Sequence, residues 1–285
     1  MSEPAVRADL SGKTCLVTGA SAGIGLATAR ELARLGGHVV MAVRNPDKGE
    51  KARRSVMAAT GRDVEMAVVD LASQASIRAF ARDFAARHPR LDVLVNNAGI
   101  WAGRRGLSPD GIELTWATNV LNYFLVTDLL LPTLKAAVRA RVVNVASRLA
   151  RDLDLSDVQF ERRPYSGESA YAQSKQADRM LTWALARRLD GSGVTANALH
   201  PGFVATEIFG KGGGLRGFGL SAYAKLSAKS PAEGADTVVW LAASPDVEGR
   251  SGLFWVDRQE HRCRFRDEAG EEALWALCRD MTRAA

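Results

Sequence analysis

The chain has little of what a disulfide-stapled, thiolate-metal or membrane protein needs. Its three cysteines, Cys15, Cys263 and Cys278, are odd in number and show no CxxC spacing, which argues against a disulfide framework or a zinc site; no metal is expected. No run of eighteen apolar residues occurs, and the opening MSEPAVRADLSGK carries no apolar stretch. Neither a membrane span nor a signal peptide is therefore expected, and a cytoplasmic location is. Blocks of like charge are absent too: the net charge is +6, but arginines alternate with acids along helical patterns. Such a pattern is a solvated face, so nucleic acid is not an expected partner, while the modest positive field favours an anionic ligand.

What is present suffices for one enzyme-sized domain, with 285 residues of which 47% are apolar. Short β-branched runs at Thr14–Thr18, Val39–Val43, Val64–Val69, Val93–Asn96, Arg141–Ser147, Thr195–Leu199 and Leu253–Val256 alternate with helical patterns. The helices are expected to begin near Ile24, Pro46, Ser73, Gly111, Ser169 and Pro231, with Ser73, Asp110 and Ser230 as N-caps. About seven strands spaced by helices imply a Rossmann-type doubly wound parallel α/β sheet, with residues 1–285 forming a single domain. Two stretches break the rhythm, 148–168 and 207–230. Both follow strands of the second half, where ligands collect, and the glycine-rich second reads as a substrate lid. An amphipathic helix over 268–283, with Leu274, Trp275, Leu277, Cys278 and Met281, is expected to dock on the body. Cys15, within an apolar run, reads as a small core residue.

After the first strand, Thr18-Gly-Ala-Ser-Ala-Gly-Ile-Gly25 opens a helix. A helix amino terminus attracts phosphate, and glycine lets the backbone approach it closely. The spacing is GxxxGxG rather than the usual GxGxxG of dinucleotide sites. At the end of the second strand Arg44 stands where an NAD enzyme places a carboxylate on the ribose 2′-hydroxyl. A guanidinium pairs bidentately with a 2′-phosphate, so NADP(H) is preferred over NAD(H). Asp70, ending the third strand, could accept from an adenine amino group or serve as an acid at the start of a helix.

Tyr171 and Lys175 lie four residues apart in a helical segment, so a phenol and an ammonium share one face. A nearby cation favours the phenolate by up to roughly 4 kcal/mol at ~4 Å and an effective dielectric near 20. That makes a proton donor suited to neutral pH.

TGASAGIG at 18–25, NNAG at 96–99, Asn119, Ser147, YAQSK at 171–175 and PGFVAT at 201–206 occur in this order, and the chain resembles a classical short-chain dehydrogenase/reductase over nearly its whole length. The long gap between Ser147 and Tyr171 and the stretches VRNPDKGE, LHPGFVATE and SGLFWVD are similar to the retinol-dehydrogenase-like branch. The resemblance implies Tyr171 as general acid/base, Lys175 lowering its pKa and holding the nicotinamide ribose, Ser147 orienting the substrate oxygen, and Asn119 supporting a water-linked proton path. It also implies cofactor contacts from Gly19, Ser21, Gly23, Ile24, Gly25, Arg44, Asp70, Leu71, Asn97, Ala98, Gly99, Pro201, Gly202, Val204 and Thr206. For Asn97 a structural role is equally open. Ala22 leaves the turn without the basic residue that many NADP-using members carry, which moves cofactor choice onto Arg44. A homodimer or homotetramer, through the helices starting near Gly111 and Ser169, is a further implication.

Trp101 directly follows NNAG-Ile100, and Phe203 and Phe209 flank the expected nicotinamide edge; each could equally pack the core, but as a pocket lining they make an apolar carbonyl or alcohol the expected small-molecule substrate. Trp116, Trp183, Trp240 and Trp255 read as core. Arg104, Arg105 and Arg216 could meet an anionic group or simply be solvated. The rival readings are a nucleotide-sugar epimerase or dehydratase and a non-catalytic NADP(H)-binding protein; NNAG disfavours the first, and the intact Asn119, Ser147, Tyr171, Lys175 set disfavours the second.

Overall fold

The computed structural model describes residues 6–204 and 229–283. Thr206, Phe209, Arg216 and nearly all of the expected lid lie outside the described residues. Strands β1 (Thr14–Thr18), β2 (His38–Val43), β3 (Glu65–Val68), β4 (Val93–Asn96), β5 (Ala140–Val145), β6 (Val194–His200), β7 (Phe254–Val256) and β8 (Gln259–Glu260) form one sheet in the order β3-β2-β1-β4-β5-β6-β7-β8. All pairings are parallel except β7 with β8. The described helices are α1 (Gly23–Arg34), α2 (Pro46–Thr60), α3 (Gln74–Arg87), α4 (Leu114–Trp116), a π-helical turn (Ala117–Leu121), α5 (Asn122–Leu129), α6 (Leu131–Lys135), α7 (Gly167–Arg188), α8 (Pro231–Ala243), a 3-10 turn (Pro245–Val247) and α9 (Glu268–Arg283).

Alternation along the strands explains the two layers of core. In β1, Cys15 and Val17 join Leu32, Val39 and Val238 on one face, while Leu16 joins Val40, Phe84, Leu94 and Leu185 on the other. These side chains are almost wholly buried, and each contributes roughly 1.5–3 kcal/mol by leaving water. The order reverses between β1 and β4, and at the carboxyl ends of those strands this topology opens a crevice.

Local chemistry sets the helix starts. Asn45 Oδ1 accepts from Lys48 N (2.9 Å) with Pro46 at the first helical position, and Gly61 ends α2 at φ +66°. Ser73 and Ser230 cap α3 and α8 as the sequence predicts, Ser230 in a reciprocal pair with Glu233. Asp110 does not cap the following helix. Its Oδ2 accepts from Gln74 N (2.9 Å) and so serves α3, while Glu113, whose two oxygens accept from Thr115 N and Trp116 N, caps α4. The helix therefore starts at Leu114 and not near Gly111, whose φ of +74° belongs to a turn. Helix α7 begins at Gly167 behind the cap Ser166, two residues before the expected Ser169.

The stretch 148–168 is irregular but held, with Asp157 accepting from Glu161 N, Arg162 N and Arg163 N. Helix α9 packs on α7 and α5: Trp275 meets Phe124 edge-on at 4.8 Å and takes the Arg188 guanidinium over its face at 4.2 Å, while Arg187 Nη2 lies 2.8 Å from Glu272. Trp116, Trp183, Trp240 and Trp255 are all buried, as is Cys15.

Candidate active site

The carboxyl ends of six strands, β1 to β6, deliver sequence-predicted residues to one end of the sheet. After β1 the chain turns at Gly19 (φ +67°) and Gly23 (φ +57°) into α1. A Cβ on Gly25 would stand 2.5 Å from the Gly19 carbonyl oxygen, and one on Gly19 would stand 2.9 Å from Ala98 Cα. The glycines are what lets this turn lie flat against the end of β4. The N-cap of α1 is Ala22, which offers no side-chain acceptor, and the first turn holds no acid, so the leading amide groups and positive dipole end of the helix are left without a side-chain partner. That is a fitting cradle for a phosphate or pyrophosphate group.

Arg44 follows β2 at the same edge, next to the Gly19 amide that donates to Ala42 O (3.0 Å). Its side chain is exposed and has no hydrogen bond or ion pair among the described residues, leaving its fork available to an anion. Asp70 lies two residues beyond β3; its Oδ1 accepts from Ala72 N (3.0 Å) in a turn ahead of α3, whose own first turn holds no acid, so the helix-start reading does not hold, and Oδ2 is left open. Leu71 is buried among the apolar residues packed beneath α3.

Asn97 is a tie between strands: its Nδ2 donates to Thr18 O (2.8 Å), and its backbone N–H, like that of Ala98, donates to Thr18 Oγ1 (2.9 and 3.1 Å). Gly99 follows, and a Cβ there would lie 3.4 Å from Asn119 Oδ1 and 3.8 Å from Lys175 Nζ. Asn119 sits in the π-helical turn, a bulge that rotates one side chain off the helical register. Its Oδ1 accepts from Ile100 N (2.8 Å), and its Nδ2 donates to Ile100 O (3.1 Å) and Ser174 Oγ (3.0 Å). Asn119 thus clamps the end of the NNAG stretch to α7.

On α7, Lys175 and Tyr171 are both buried, with the ammonium 5.9 Å from the centre of the Tyr171 ring and 5.1 Å from that of Tyr123. Lys175 Nζ donates to Val145 O (3.0 Å) and to Asp178 Oδ2 (2.8 Å). Burial opposes the charge on this ammonium, but Asp178 and the two phenols outweigh it, so Lys175 stays charged well above the usual lysine range. Burial also raises Asp178, and Lys175 limits that rise. Asp178 was not foreseen from the sequence, although its place three residues after Lys175 on the same helical face was a usable signal.

Ser147, just past β5, is half-buried; its Oγ accepts from Leu149 N (3.1 Å) and its carbonyl accepts from Arg179 of α7. Among the described residues no hydrogen bond joins Ser147 to Tyr171. The Trp101 ring stacks on Tyr171 at 4.9 Å, which gives the phenol an apolar wall. After β6, Pro201, Gly202 (φ +87°) and the buried Val204 follow; Val204 and Ile24 meet over Gly234, where a Cβ would be 2.5 Å from Val204. Arg105 is spent on Gln159 O (2.8 Å), whereas Arg104 is exposed. His200, at the end of β6, was also missed. Burial, helped by Arg148 and Arg179, pushes its pKa down to about 4, so the ring is neutral and its Nδ1 accepts from Arg148 N (3.1 Å).

A phosphate-fitting turn at a sheet reversal, beside a buried Tyr/Lys pair, defines a nucleotide-dependent α/β enzyme. The model of the short chain dehydrogenase family matches residues 13–214, and the chain belongs to that family, in its retinol-dehydrogenase-like branch. It is 38% identical over 280 residues to human retinol dehydrogenase 13, covering 95% of this chain and 84% of that one. Mouse polyprenol dehydrogenase is 40% identical, with 96% and 84% covered. A short chain dehydrogenase structure from Shigella flexneri, complexed with NADP, superposes with a TM-score of 0.68 at 25% identity, covering 87% and 98% of the two chains. The protein is accordingly an oxidoreductase acting on CH–OH groups.

Proposed function

We propose that the protein is an NADP(H)-dependent oxidoreductase that moves hydride between the nicotinamide and a carbonyl or alcohol carbon of an apolar substrate, with Tyr171 as general acid/base. The observation that carries this reading is the buried Lys175 ammonium, kept charged by Asp178 within 5.9 Å of the Tyr171 ring. A cation there stabilises the phenolate that remains once Tyr171 has given up its proton.

NADPH, when bound, supplies the hydride. In the reducing direction the carbonyl π pair moves onto oxygen as hydride reaches carbon, and the Tyr171 hydroxyl protonates that oxygen. Ser147 Oγ donates to the same oxygen, where negative charge develops. Lys175 holds the resulting phenolate, which regains a proton from solvent by a route that Asn119 helps to support. The uncapped start of α1, spanning Ser21 to Gly25, receives the pyrophosphate, and Arg44 pairs with the 2′-phosphate. Asp70 Oδ2, the backbone of Leu71, Asn97–Gly99, Pro201, Gly202, Val204 and Thr206 complete the cofactor contacts. The Trp101 wall and the exposed Phe203 favour an apolar substrate, consistent with relatives named for retinol and polyprenol.

Cytoplasmic location and self-association belong to the same reading. Among the described residues no helix is long and apolar enough to cross a membrane. Helix α9 covers part of the α5/α7 face through which a dimer was expected, so light scattering on the purified chain is the direct check of its subunit number.

The experiment is a panel of apolar and polar aldehydes, ketones and alcohols, followed by NADPH absorbance. Turnover confined to apolar members supports the reading, and absence of NADPH oxidation across the panel contradicts it.

A further inference from the structure

At the opposite end of the sheet from the glycine turn, three elements bring two imidazoles and a carboxylate together. His38 opens β2, Glu65 opens the neighbouring β3, and His88 caps the end of α3. His38 Nε2 lies 2.7 Å from Glu65 Oε1 and His88 Nε2 lies 3.3 Å from Glu65 Oε2. One ligand atom from each residue falls within 4.8 Å of the other two. Two of the chain's four histidines are spent here.

The His88 ring is the unusual member. It is about nine-tenths buried, it rests on the core ring of Phe84 at 4.6 Å, and its Nε2 has no hydrogen-bond partner, the 3.3 Å approach to Glu65 lacking hydrogen-bond geometry. A buried polar nitrogen held only by a poorly aligned contact with Glu65 forgoes most of a hydrogen bond, a loss of order 1–3 kcal/mol, which a ligand aimed at it recovers. His38 and Glu65 are each partly exposed, so they are free to close around an incoming ion. Arg87 Nη1 stands 2.9 Å from Glu65 Oε2, but its side chain is half exposed and can swing into solvent.

We propose that His38, Glu65 and His88 form a binding site for a divalent transition-metal ion of the zinc type, distinct from the oxidoreductase site. Two imidazole nitrogens and one carboxylate oxygen are a ligand set that zinc accepts, with water in the fourth position. Zinc-to-ligand distances of about 2.0–2.2 Å require the three atoms to draw together, by side-chain rotation of His38 and Glu65 about the fixed His88. The ion satisfies His88 Nε2 and ties β2, β3 and α3 into one unit. Because the ligands lie at the amino ends of β2 and β3, hydride transfer at the carboxyl ends does not depend on it.

The test is calorimetric titration of the full chain, first stripped with chelator, using zinc sulfate, with cobalt(II) absorption as a second readout. The expected result is one ion per chain, the intense visible bands of four-coordinate cobalt, and affinity lower by at least tenfold in both His38→Ala and Glu65→Gln, with cofactor binding unchanged. These partly exposed positions carry the test because His88→Gln risks unfolding; circular dichroism of each variant confirms the fold. No zinc heat from the wild-type chain, or equal affinity in His38→Ala and the wild type, overturns the proposal. The second outcome places the metal elsewhere on the chain.

Discussion

Lys175 Nζ lies 2.8 Å from Asp178 Oδ2, one helical turn along α7, and both side chains are buried. The carboxylate stabilises the ammonium that burial opposes, and it also subtracts from the positive field that Lys175 casts on Tyr171. Asp178→Asn keeps the shape and removes the charge. With that carboxylate gone, burial opposes the Lys175 ammonium without its main counter-charge, so the cation beside Tyr171 is weakened and kcat falls. A loss of at least roughly tenfold in kcat is expected, since a charge a few ångströms away at an effective dielectric near 20 is worth several kcal/mol. An unchanged kcat in a folded variant means that Asp178 acts only in packing.

Arg44 should discriminate between the two nicotinamide cofactors. Losing a charge-assisted pair to the 2′-phosphate costs about 1.5–3 kcal/mol, so Arg44→Ala weakens NADPH binding by roughly ten- to a hundredfold. NADH binding, measured by fluorescence titration in parallel, should change little. Equal losses for both would assign the 2′-phosphate to another residue.

Gly25 has no room for a methyl group, since a Cβ there meets backbone atoms of Gly19 at 2.5 Å. Gly25→Ala forces the turn open. The expected cost is about 1–3 kcal/mol, with melting lowered by several degrees and cofactor affinity falling with it. Wild-type melting and affinity in this variant would mean that the turn adjusts freely.

His200 supplies a pH dependence of stability. Its pKa is about 4 in the folded chain, against an ordinary value near 6.5, so between these limits the unfolded chain binds the extra proton. The contribution is fully present above about pH 6.5 and is lost as pH falls through 4. Its size is of order 3 kcal/mol. Urea unfolding at pH 7 and pH 5 should show a smaller pH loss for His200→Gln than for the wild-type chain, and an unchanged loss would remove His200 from the account.

Backbone-dictated features were legible in the sequence and pairwise burial was not. The runs around Leu16, Val40, Leu94, Val142 and Ala198 mark strands because a parallel sheet covered on both faces has to be apolar throughout. Strand β8 escaped notice because it is two residues long and follows a hairpin loop, Asp257-Arg258, with φ of +49° and +57°, a conformation normally announced by Asn-Gly or Asp-Gly. Asp110 looked like a cap for the next helix; its carboxylate instead crosses the structure to α3, a tertiary choice that no local pattern reveals. In the candidate site, Gly19, Gly23 and Gly25 could be read because only glycine fits there. Asp178 was marked only by its spacing from Lys175 and His200 by nothing, since an acid or an imidazole in a helix or strand is ordinarily solvated, and the partners that cover them exist only once α7 packs on β5 and β6.

The most direct test of the central claim is Tyr171→Phe, assayed with the best substrate of the carbonyl panel and titrated separately with NADPH. Tyr171 is buried beside Trp101, so phenylalanine fills the same space. The account predicts NADPH affinity within about twofold of wild type and kcat lower by at least roughly a hundredfold, the scale of a lost general acid. A variant that binds NADPH and reduces the carbonyl at the wild-type rate would contradict it.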